Sequence, residues 1–208
     1  MNKNSGILFI ISSPSGVGKT TIANFLVKQD KRIKRSISYT TRKPRNNEKN
    51  GVDYFFVTEK EFLDLVAAGK MLEYAKVFTD FYGTSLDYVK QNLDLGLDIL
   101  CCIDWQGAKQ IKEKIEAVGI FLLPPSFAEL ERRLRSRKTE SDSAILTRLK
   151  TAQHEIKQYA IYDYVIVNDD LGFAQNLALS VIQTQRVSLK HSKDNIKNTI
   201  VNLKSDKS

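Results

Sequence analysis

The stretch FIISSPSGVGKTT, residues 9–21, constrains this chain more than any other. The apolar run at 7–12 has the character of a strand buried on both faces. Gly16 and Gly18 punctuate the turn that follows. Residues 20–29 then place Ile22, Phe25 and Leu26 at helical spacing. Strand, glycine-bearing loop and helix in this order make a phosphate loop, in which successive backbone N–H groups point inward and the positive end of the helix lies behind them. The pattern G-x-x-x-x-G-K-[ST] is met at its end, but Ser13 stands where the first glycine belongs. That position is the strand exit, where a small residue with ordinary backbone angles fits, and the cradling residues from Ser15 to Thr20 are intact. The candidate nucleotide-binding set is Ser13, Pro14, Ser15, Gly16, Val17, Gly18, Lys19 and Thr20. Lys19 would reach the β- and γ-phosphates, and the Thr20 hydroxyl would meet Mg2+.

Three further apolar segments, at 99–103, 120–123 and 164–167, alternate with helical patterns at 85–95, 106–117, 126–135, 143–159 and 171–185. Ser126 with Glu129 forms a capping-box pattern, and Gly119 is placed to end the helix before it. Alternating strands and helices predict an α/β fold, a parallel sheet flanked by helices with right-handed crossovers. Two segments break the rhythm and are expected to project as insertions, one at about 36–85 and one near 136–148. In the first, 36–41, 54–57 and 71–78 have extended character, and Thr58 with Glu61 caps a helix closed by Gly69.

The chain has 208 residues, 42% of them hydrophobic, which suits one domain with subdomains. Its net charge of +8 points to a polyanionic partner without choosing among them. No aromatic-studded basic strand or recognition helix supports nucleic acid. The Lys-, Ser- and Asn-rich stretch 187–208 is expected to be a flexible basic tail. Cys101 and Cys102 are adjacent, so on a strand they point to opposite faces and cannot easily pair; they are expected to be buried small hydrophobes. There is no signal-peptide or membrane-span pattern, and a cytoplasmic protein is expected.

The acceptor of any phosphoryl transfer must be read elsewhere. In SISYTTRKPRNNEKNGVDYFF, Arg42 and Arg45 can both fork onto one phosphate, and Tyr54 can add a donor; a solvated basic turn is the plainer alternative. Glu73 lies in a mostly apolar extended stretch, where an unpartnered carboxylate is costly. A guanine offers N1–H and N2–H2 donors on one edge that a carboxylate accepts as a pair, and adenine does not.

The motifs SPSGVGKT, SISYTTRKPR…GVDYFFV, LEYAKVF…YGTS, IDWQGAKQI, ERRLRSRKTES and YDYVIVNDD occur in order, and over about 6–186 the chain resembles the guanylate kinases. The resemblance implies ATP-dependent phosphorylation of GMP, and of dGMP, with Mg2+. It implies a core (about 1–36, 89–125 and 159–186), a GMP-binding subdomain (about 37–88) and a lid (about 126–158). By similarity Arg42, Arg45, Tyr54 and Tyr82 would hold the GMP phosphate. Ser38, Glu73 and Thr84 would read guanine, and Asp104 would orient the base or a magnesium-bound water. Lys19, Arg42, Arg137 and Arg148 would offset charge on the moving phosphoryl group, and Asn168 aligns with the adenine side. Cys102 departs from the family pattern, which has an aspartate there, and leaves Asp104 to carry more of the ion's surroundings. His154 and His191 lie outside the motifs and are expected at the surface. A partner-binding module of the same fold is disfavoured because Lys19, Thr20 and the lid arginines are present. ATP and GMP are the expected partners, and a monomer or small homo-oligomer the expected state.

Overall fold

The computed structural model describes residues 5–45, 47–77, 79–136 and 141–205. The chain opens with β1 (Leu8–Ser12), α1 (Lys19–Gln29), β2 (Ile33–Arg35), β3 (Tyr39–Thr40), β4 (Phe55–Phe56), α2 (Glu59–Ala67), β5 (Met71–Val77) and β6 (Asp80–Ser85). It continues through α3 (Leu86–Asp94), β7 (Asp98–Cys102), α4 (Trp105–Lys114), β8 (Val118–Leu123), α5 (Phe127–Ser136) and α6 (Asp142–Ile156). A 3-10 turn (Lys157–Ile161), β9 (Tyr164–Val167), α7 (Leu171–Val187) and α8 (Leu189–Ser205) complete it.

Five strands form one sheet in the order β2-β7-β1-β8-β9, and each neighbouring pair is parallel. All five residues of β1 are buried, which is why it carries no polar alternation. Its side chains divide by parity. Phe9 and Ile11 join Ile22, Ala23 and Leu26 of α1 and Ala174, Ala178 and Ile182 of α7 on one face. Leu8 and Ile10 join Val89 of α3 and Ala108 and Ile111 of α4 on the other. Cys101 faces the second cluster and Cys102 packs against the first, as adjacent strand residues must.

A second sheet, β4-β3-β6-β5, is built from residues 39–85. Its helix α2 starts at the anticipated capping box: the Thr58 hydroxyl accepts from the Glu61 N–H and Glu61 returns to the Thr58 backbone. At α5 the box is only half made. Ser126 accepts from the Glu129 N–H, but the Glu129 carboxylate turns to Arg132 and Arg133.

Several expectations are corrected. The edge strand β2 carries no sequence signal, because three residues with one buried side chain have no usable period. The strand β6 lies outside the segments expected to be extended. Helix α4 ends at Lys114, and Gly119 lies inside β8, where an added Cβ would come within 2.9 Å of the Tyr162 ring. Residues 187–208 were expected to be a flexible tail, yet their described part is mostly α8. Ser188 breaks away from α7 with an extended backbone, its carbonyl accepts from the Ser192 N–H and hydroxyl, and Glu116 pairs with Lys190 and His191. His191 is accordingly largely buried rather than a surface residue. Among the described residues no helix is long and apolar enough to cross a membrane.

Candidate active site

The loop after β1 ends in two glycines with positive φ, Gly16 at 94° and Gly18 at 108°, angles that side chains rarely adopt. Gly18 is the N-cap of α1. No side chain caps that terminus and no acidic residue lies in its first turn, so its amides face an anion-sized cleft. The cleft encloses about 260 Å3 and is lined by Ser13, Ser15, Gly16, Gly18, Lys19 and Thr20, with Asp104 and Glu155 opposite. The Lys19 ammonium donates to the Ile103 carbonyl at 3.4 Å, which holds it across the cleft mouth. Arg148 of α6 reaches the Ser15 hydroxyl at 2.5 Å. Ser13 stands at the loop entrance, with its hydroxyl donating to the Pro14 carbonyl. Arg137 lies outside the described residues.

Asp104 also acts by its charge on Glu73, in the neighbouring sheet. Glu73 follows an irregularity in the β5–β6 ladder and is only 4% exposed. Its Oε1 accepts from the Thr84 hydroxyl at 2.6 Å, and Thr84 is fully buried. Its Oε2 rests on the first turn of α4, where an added Cβ at Gly107 would lie 2.8 Å away. Asp104 caps that turn by accepting the Gly107 N–H at 2.9 Å. Burial raises the Glu73 pKa to about 7, Thr84 and Lys114 act against the rise, and Asp104 adds to it. A carboxylate held this way has spare acceptor capacity and a strong demand for donors.

The third group surrounds Arg42. Its guanidinium lies 5.5 Å from the Tyr54 ring centre and 5.9 Å from that of Phe56, and Tyr82 meets Tyr54 edge-on at 6.0 Å. Arg42, Tyr54 and Tyr82 are thus brought together. Both oxygens of Glu48 accept from Arg42 Nη2, at 2.8 and 2.9 Å, and Glu48 also accepts the Arg45 N–H. The paired Arg42 guanidinium holds the Glu48 carboxyl below its ordinary range. Arg42 is therefore engaged by a carboxylate, while the Arg45 side chain is exposed. Ser38 is half-buried beside this group, and its carbonyl accepts from the Phe55 N–H.

The family model for guanylate kinase matches residues 5–185. The chain belongs to the guanylate kinase family. It is 49% identical to a guanylate kinase of Wolbachia pipientis wMel over 189 residues, covering 89% of this chain and 93% of the relative. It is 51% identical to one of Rickettsia felis over 185 residues, covering 88% and 96%. The crystal structure of guanylate kinase from Anaplasma phagocytophilum superimposes with a TM-score of 0.76 at 38% identity, covering 92% of each chain.

Within a guanylate kinase frame, two features escaped the sequence. Glu155, seven residues after Arg148 on α6, lines the same cleft; burial raises its pKa to about 6 against the pull of Lys19. Two turns of helix put these residues on one face, a spacing that could have signalled the pair. Arg35, at the end of β2, exerts its charge on both Cys102 and Tyr54 and so stands between the two halves of the site. Asn168, aligned by its motif with the adenine side, is 2% exposed, and its amide donates to the Val17 carbonyl beneath the loop. Burial also raises the Cys102 thiol pKa, against the pull of Arg35 and Lys19.

Proposed function

We propose that this guanylate kinase transfers the γ-phosphoryl group of ATP in line to GMP, and accepts dGMP as well. One observation carries the reading: Asp104 belongs to both halves. It lines the phosphate-loop cleft, and its charge acts on the buried Glu73 carboxyl. A donor phosphate at the loop and a purine at Glu73 would then meet on one side of the sheet.

In this reading residues 37–88 form the GMP-binding subdomain and 126–158 the lid. Ser13 to Thr20 hold the ATP phosphates. Glu73 accepts guanine N1–H and N2–H2, with Ser38 and Thr84 completing the edge. Arg42, Arg45, Tyr54 and Tyr82 hold the GMP phosphate, which takes Arg42 in place of Glu48. None of these contacts reads the sugar 2′-hydroxyl, so dGMP fits. Lys19, Arg42, Arg137 and Arg148 offset the charge of the moving group, and no general base is needed because the GMP phosphate oxygen is already a nucleophile.

Among the described residues no group of three or more His, Cys, Asp or Glu could hold a metal ion. The Thr20 hydroxyl and Asp104 carboxylate at one cleft fit an ion that arrives with the nucleotide phosphates. Mg2+ bound there would supply positive charge to offset that of the phosphates. Thr20 would hold it directly and Asp104 through water.

The test is ADP formation from ATP with GMP, AMP, CMP or UMP offered separately. GMP should support turnover far above the others; turnover with AMP and none with GMP would overturn the substrate assignment.

A further inference from the structure

We infer that Asn168 is a positioning residue for the phosphate loop, fixing the peptide that aims the Gly18 N–H into the cleft. Asn168 stands one residue beyond β9 and is held there by its own N–H, which donates to the Leu123 carbonyl at 2.8 Å. From that anchor its Nδ2 donates to the Val17 carbonyl at 2.6 Å, across 151 residues of sequence. Val17 is fully buried, whereas Gly18 lines the cleft. The Val17 carbonyl and Gly18 N–H belong to one peptide unit, and a planar trans peptide points them in opposite directions. Drawing the carbonyl down to Asn168 turns the N–H up toward the place a phosphate would take.

Two observations show that the contact is specific. The Gly18 backbone approaches so closely that a Cβ there would lie 2.8 Å from Nδ2. The other amide atom, Oδ1, is buried with no partner among the described residues, so the side chain is not retained for a second hydrogen bond. Reversing the amide would set oxygen against the Val17 oxygen, which fixes the orientation.

The same segment restrains the far end of α1. Asp170 caps α7 by accepting the Phe173 N–H at 2.7 Å, and Arg186 near the end of α7 reaches Asp30, the C-cap of α1, at 2.5 Å. The helix behind the loop is therefore tied at both ends to residues 168–186. Asn168 sets the loop's conformation, and Arg186 sets the helix that the loop enters.

The inference rests on the reading that this loop holds the ATP phosphates. The experiment measures KM for ATP and for GMP in full-length Asn168→Ala, with Lys19→Ala beside it. Leaving the Val17 carbonyl without its donor should raise the KM for ATP about tenfold or more, with the KM for GMP changed by less than about twofold. A merely structural role would weaken both substrates in parallel, and that result, or an unchanged KM for ATP, would overturn the inference. Should alanine not give a folded protein, Asn168→Ser, whose hydroxyl is too short to reach Val17, carries the same expectation. Unaltered ATP kinetics in Lys19→Ala would instead count against the loop reading itself.

Discussion

Replacing Glu73 by glutamine should trade substrate recognition for stability. Glutamine keeps the shape and an acceptor for Thr84 but abolishes the charge. In the folded protein burial raises the Glu73 pKa from its ordinary 4.5 to about 7. A carboxyl whose proton is held more tightly when folded contributes stability fully below about pH 4.5, and the contribution is lost as pH rises through about 7. At 1.36 kcal/mol per pH unit, the stability lost relative to low pH is about 3 kcal/mol at pH 8.5 and about 1 kcal/mol at pH 5.5. Glu73→Gln removes this dependence, so its stability relative to the parent should rise by about 2 kcal/mol between those pH values. Recognition moves the other way. The glutamine NH2 would face the guanine N1–H and N2–H2, and the loss of charge-assisted bonds should raise the KM for GMP about 100-fold or more. In the parent, affinity for GMP should fall as pH drops below about 7, because only the ionised form accepts both donors. Denaturant titrations at the two pH values and initial rates against GMP provide the measurements. A pH-independent stability difference, or an unchanged KM for GMP, would refute the reasoning.

Further outcomes follow from the same contacts. Gly107→Ala should press on Glu73 Oε2 and raise the KM for GMP while sparing that for ATP, as initial rates would show. Arg186→Ala leaves Asp98, whose side chain is 1% exposed, without its ionic partner and should cost about 3–5 kcal/mol in denaturant titration. Cys102→Asp places a carboxylate beside Lys19 and Arg35; the Mg2+ concentration for half-maximal rate should fall, and an unchanged requirement would show that position 102 does not influence the ion.

The phosphate loop was legible because its backbone demands are local: a buried strand, glycines where φ turns positive, and a helix whose first turn carries Lys19 and Thr20. Glu73 was legible because a carboxylate in an apolar strand needs a partner. What stayed hidden depends on long-range approach. Gly107 lies among residues of helical character, and only the fold brings it against Glu73. Arg42 is engaged by Glu48, and a six-residue separation in a turn carries no such information. The hydrogen bond from Asn168 to the Val17 carbonyl depends on the end of β9 meeting the loop, across 151 residues of sequence. The composition of the region after 187 does not reveal that Glu116 pairs with Lys190 and His191 of α8.

The most direct measurement follows the phosphorus atoms themselves. With ATP, GMP and Mg2+ present, phosphorus NMR should show the γ-phosphoryl signal of ATP replaced by the β-phosphate of GDP, with ADP and GDP formed in equal amounts. Release of inorganic phosphate without GDP would contradict the account, since it would show a loop and cleft that activate ATP toward water rather than toward a nucleotide held at Glu73.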